Sequence, residues 1–122
     1  MTTPAPVQTL PPPGKNLVVW TWTLTTADHT GAALGPNFAD FVDRSVQIEG
    51  TFGGATCVLE GSNDGTNYEP ITDPQGNAIS KSAAALEQMT EMTLSVRPRL
   101  SAVGAGATIV VTLCARRARF HT

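Results

Sequence analysis

"RSVQIEGTFGGATCVLEGSNDG", residues 44–65, decides the fold. Its first half alternates, with Val46, Ile48 and Phe52 on one side and Gln47 and Glu49 on the other. A two-residue period is the signature of a strand with one face in a core. Gly53 and Gly54 suit the positive φ of a tight hairpin turn into a second strand, "ATCVLEGS". "NDG" then makes another turn, because Asn and Gly tolerate that same backbone region. Strand, turn, strand, turn is the expected order, with no helix.

The same grammar extends in both directions. Upstream, "NLVVWTWTLTT" puts Val18, Trp20, Trp22 and Leu24 on one face and Val19, Thr21 and Thr23 on the other. "ADHTGAALGPNFADFVDR" reads as a long connection with one helical turn around Phe38 to Val42. Downstream, Pro70 confines "TNYEPIT" to an edge or a bulge, and Pro74 suits the second position of a "DPQGN" turn. "SKSAAALEQM" is the only helix-favouring stretch and is too short for a helical layer, so a loop with one turn is expected. "EMTLSVRPRL" alternates Met92, Leu94 and Val96 against Thr93, Ser95 and Arg97, and "AVGAGA" connects it to the next strand. "TIVVTLCAR" is apolar on both sides, which predicts a central strand. The pattern predicts an all-β, single-domain antiparallel β-sandwich, jelly-roll-like.

Residues 1–16, "MTTPAPVQTLPPPGKN", carry five prolines and predict an extended N-terminal arm ahead of a sandwich domain at 17–122. This start lacks the basic and apolar regions of a signal peptide, and no run approaches a membrane span. The expectation is synthesis inside a cell, with no membrane partner. Cys57 and Cys114 are then expected to be free thiols, bridged only if their strands are neighbours. The net charge of −2 argues against a general nucleic-acid binder. All ten acidic residues lie between Asp28 and Glu91, whereas Arg97, Arg99, Arg116, Arg117 and Arg119 lie beyond them.

Chemistry is sparse. His29 and His121 belong to no metal or catalytic motif, and no nucleophile elbow, P-loop or dinucleotide fingerprint occurs. No catalytic residue, cofactor, metal or small-molecule substrate is expected. Asp64 and Asp73, with Asn63 and Asn67, offer oxygens for calcium, but their spacing lacks the alternate acids and closing Glu of an EF-hand. Turn geometry accounts for the same residues more simply.

Two resemblances follow from these turns. "GSNDGTNY" resembles the SNDGxxW hairpin of discoidin-like, galactose-binding β-sandwiches, with Tyr68 in the place of their Trp. In that family the hairpin is framework and not the ligand site. The ordered string "GTFGGAT", "GSNDGTN", "DPQG" and the closing "ARR", between Val46 and Arg117, resembles the small β-sandwich virion proteins of tailed bacteriophages, of the head decoration or cement type. That resemblance implies a non-enzymatic structural protein on the capsid exterior, made in the host cytoplasm, with the major capsid protein as partner. Alternatives are a tail or fibre component, or a carbohydrate-binding module.

For a decoration protein, an exposed sheet edge suits a homodimer. Candidate interface residues are Pro11, Pro12 and Pro13 on the arm, and Trp20 and Trp22, which serve either as core or as aromatic anchors. Arg97, Arg99, Arg116, Arg117 and Arg119 are either solvated strand ends or partners for acids on the shell.

Overall fold

A computed structural model describes residues 3–10, 17–35, 41–102 and 105–117. Every regular element among them is a β-strand: β1 (Val7–Leu10), β2 (Leu17–Thr25), β3 (Phe41–Thr51), β4 (Thr56–Ser62), β5 (Glu69–Pro70), β6 (Ser80–Lys81), β7 (Ala85–Gln88), β8 (Ser95–Ser101) and β9 (Thr108–Arg117). They form two antiparallel sheets. The larger has the order β1-β2-β9-β3-β7. In the smaller, β4 pairs with β8 on one side and with β5 and β6 in succession on the other.

β9 is central, as its two-sided apolar sequence predicts, lying between β2 and β3 along nearly its whole length. Ile109, Val111, Leu113 and Ala115 face the core and are essentially buried, while Val110, Thr112 and Cys114 lie half-buried on the outer face. Trp22 and Leu24 of β2, Val46 and Ile48 of β3, Leu59 of β4 and Val96 and Leu100 of β8 complete one core between the sheets. Full burial of each such aliphatic side chain contributes about 1.5–3 kcal/mol. The core is thus built by strict alternation on the long strands.

The second sheet is finished by irregular chain. Residues 29–34 run along the free side of β8, with Leu100 N–H donating to His29 O, Gly31 N–H to Pro98 O and Leu34 N–H to Val96 O. This arrangement makes Pro98 harmless. Its carbonyl points at Gly31, so its missing amide also lies on that side and the β4 ladder is untouched.

Several expectations need correction. The turn at Gly53 and Gly54 has positive φ at both glycines and is closed by Ala55 N–H to Phe52 O, but β3 and β4 belong to different sheets. It is a passage between layers and not a ladder hairpin. "SKSAAALEQM" forms β6 and β7 in place of a loop with a turn, because pairing of Leu86 with Gln47 and Ala85 with Ile48 overrides helix preference. Phe41 and Val42, expected in a helical turn, begin β3, and Phe38 lies outside the described residues. Met92 and Leu94 are 47% and 40% exposed, since β8 starts only at Ser95 and its inward set is Val96, Pro98 and Leu100. Within the proline-rich arm, Val7–Leu10 form β1 on the protein's own β2, and Pro4 O accepts Ala32 N–H at 2.8 Å.

Candidate functional site

The outer face of the smaller sheet carries one carboxylate shared by two arginines. Core positions on β4 are odd-numbered, so Val58, Glu60 and Ser62 point outwards; on β8 the outward set is Ser95, Arg97, Arg99 and Ser101. Register sets Glu60 directly opposite Arg97 and places Arg99 one step along the same face. Glu60 is only 4% exposed. A carboxylate so enclosed needs compensation, and two guanidiniums supply it. Arg97 Nε donates to Glu60 Oε1 at 2.7 Å, and Arg99 Nε lies 3.3 Å from both carboxylate oxygens.

Tyr68, at the end of the "SNDGTNY" turn, holds this cluster from the side. The Arg97 guanidinium lies 3.9 Å from the centroid of its ring. The Tyr68 hydroxyl is 3.2 Å from Ser95 Oγ, which in turn donates to Ser62 O. The result is a rigid patch of two arginines, one carboxylate and one ring. Arg97 and Arg99, expected as solvated or partner-facing residues, are thus engaged within the chain, though their side chains remain 31% and 37% exposed.

The other nominated residues disperse. Trp22 is buried in the core with its Nε1 donating to Ala32 O at 2.9 Å, so it presents no anchoring surface. Trp20 is partly buried against the core and meets Phe41 edge-on at a centroid separation of 5.8 Å. The Arg117 guanidinium lies over the Phe41 ring, 4.8 Å from its centroid. Arg116 is exposed on the outer face of the larger sheet, in register with Asp43. Pro11, Pro12, Pro13, Arg119 and His121 lie outside the described residues.

Asp64 and Asp73, the suspected calcium ligands, hold together their own turns. Asp64 Oδ1 accepts the amides of Thr66 and Asn67 as well as the Ser62 hydroxyl, and its Oδ2 accepts the Asn67 side chain. The Asn67 amide above all, with its side chain and the Thr66 amide, holds the Asp64 carboxyl far below the usual carboxylate range. Asp73 Oδ1 accepts the amides of Gln75 and Asn77, while Asp73 O accepts Gly76 N–H. Pro74 therefore sits where a tight turn wants it. Glu91 bridges two loops by accepting both the hydroxyl and the amide of Thr72, which lowers its pKa. Among the described residues no group of three or more His, Cys, Asp or Glu is arranged to hold a metal.

Cys57 and Cys114 are free and sit on different sheets. Burial pushes the Cys57 thiol up to about 12.

Sequence reasoning missed Glu60 and Tyr68. One signal for Glu60 was present: a lone acid on an otherwise uncharged strand, "TCVLEGS", needs a cation, and Arg97 and Arg99 share a face two residues apart. No protein-family model matches this chain, and no curated protein matches it.

Proposed function

We propose that this protein is a non-enzymatic structural component of a virion, binding the outside of a tailed-phage head and cementing or decorating its shell. The observation that carries the reading is the path of the chain. From β2 it passes to residues 29–34, then β3, β4, β5 with β6, β7, β8 and β9, changing sheets at almost every connection. Wrapping of this kind supports the jelly-roll-like expectation, and jelly rolls are a common form of viral coat and lectin domains. The turns behind the phage resemblance serve geometry, which suits a shared framework: Asp64 and Asp73 bind backbone amides, and Gly53 and Gly54 adopt positive φ.

The partner in this reading is the major capsid protein, with a second copy of the chain as a two-fold neighbour. β1 and β7 are the edges of the larger sheet and the places where a neighbour would add a strand. The lectin reading is weaker, since the Tyr68 ring is capped by Arg97 and offers less of a platform for sugar stacking.

Quantitative mass spectrometry of purified particles tests the proposal. A copy number close to that of the shell protein supports head decoration. A ratio lower by an order of magnitude favours the tail or fibre alternative, and absence from the particle overturns the virion reading.

A further inference from the structure

The cluster on the smaller sheet is incomplete as an ion pair. Two guanidiniums share one carboxylate, so Arg97, Arg99 and Glu60 together carry one uncompensated positive charge. On β4 and β8 the other residues of this face are Thr56, Val58, Ser62, Ser95 and Ser101, all uncharged. Among the described residues of β4 and β8, Glu60 is the one acid on this face. Both arginines use Nε to bind Glu60, and among the described residues no hydrogen bond engages their Nη atoms. Each guanidinium therefore keeps its end-on fork, the geometry that takes a carboxylate with two parallel hydrogen bonds.

Preorganisation is the second argument. An exposed arginine loses much rotamer freedom on binding, which opposes association. Here that freedom is already restricted, because Glu60 fixes both Nε atoms and Tyr68 lies flat beneath Arg97. Ser95 fixes Tyr68 in turn. The half-exposed state of both arginines leaves them accessible while lowering the local dielectric.

We propose that the Arg97–Glu60–Arg99 cluster is a receptor for a side-chain carboxylate on an acidic segment of a partner protein. Glu60 acts as a positioning residue within it, aligning the two forks while competing for their charge. This deepens the reading above by giving the chemistry of the contact surface, and it stands on geometry that the copy-number measurement does not touch. A particle-bound protein with no affinity for acidic peptide would sink only this inference; a peptide binder absent from particles would sink only the virion role.

The test is an NMR titration of the intact chain, following arginine Nε–H resonances, with hexaglutamate, hexaglutamine and acetate as probes. Saturable shifts of Arg97 and Arg99 with hexaglutamate alone, weakening as salt rises above about 0.1 M, are expected. Arg97→Gln should weaken binding by about fivefold or more, consistent with loss of one charge-assisted pair. Glu60→Gln removes the competing charge yet keeps an acceptor, so it should tighten binding several-fold. Two further outcomes overturn the proposal: equal shifts with hexaglutamine, or acetate binding as tightly as hexaglutamate, which would mark a site for free small anions. Should Arg97→Gln fail to fold, Arg99→Gln and Glu60→Gln carry the same decision, and unchanged hexaglutamate affinity in both overturns it.

Discussion

Gly31 packs against Trp22 so closely that a Cβ on the glycine would lie 2.8 Å from the indole Cδ1 and 2.9 Å from the Pro98 ring. The indole cannot retreat, because its Nε1 is tied to Ala32 O in the same segment. Gly31→Ala is therefore expected to destabilise the fold by about 1–3 kcal/mol, the usual cost of forcing a methyl group into filled space. Thermal unfolding measures it, and an unchanged Tm would mean that residues 29–34 are free to lift from β8.

The two thiols should separate cleanly under alkylation. Cys57 is fully buried with its pKa pushed up to about 12, whereas Cys114 lies half-exposed on the outer face of β9. In the native state at pH 8, iodoacetamide is expected to label Cys114 alone, and both residues after denaturation. Peptide mapping by mass spectrometry reads the result, and native labelling of Cys57 would contradict its placement.

Acid should loosen the clamp between Thr72 and Glu91. The Glu91 carboxyl is depressed chiefly by the Thr72 hydroxyl and then by the Thr72 amide. A depressed folded-state pKa favours folding above the unfolded value of about 4.3, and that contribution disappears as pH falls through the folded value. Thr72→Val keeps the amide but deletes the larger cause. The Glu91 pKa should then rise towards the normal range in a carboxyl NMR titration, and stability should become less sensitive to acid.

Asp73 distinguishes a turn from a metal loop. Its buried carboxylate accepts two amides, so Asp73→Ala is expected to cost about 1–3 kcal/mol through unsatisfied donors. Asp73→Asn keeps an acceptor and should recover most of that loss. Calcium or EDTA should leave the Tm of the parent protein unchanged; a calcium-dependent rise would restore the ligand reading.

The long strands were legible in the sequence because they obey a local rule. Alternation in "VVWTWTL" marks Trp22 and Leu24 as inward, and the two-sided apolar run of β9 marks it as central. Turn chemistry was legible for the same reason, since Asp73 and Pro74 act within a few residues of themselves. What a turn joins was not legible: Gly53 and Gly54 make the same tight bend whether the next strand pairs back or crosses to the other sheet. β7 was hidden because Ala85, Leu86 and Glu87 prefer helix in isolation and become strand only by pairing with β3. The cluster at Glu60 unites residues 37 and 39 positions apart, a distance that no local pattern encodes.

The central place of β9 also dictates how the protein can be made. β2 and β3, early in the chain, have no ladder between them until residues 108–117 leave the ribosome. Until then the growing polypeptide exposes two long, apolar strand edges that are prone to pair with other chains. Closure by a strand so distant in sequence from β2 and β3 implies slow folding dominated by non-local contacts. A message truncated before codon 108 would yield a sticky fragment with two open edges, a natural substrate for chaperones and proteases.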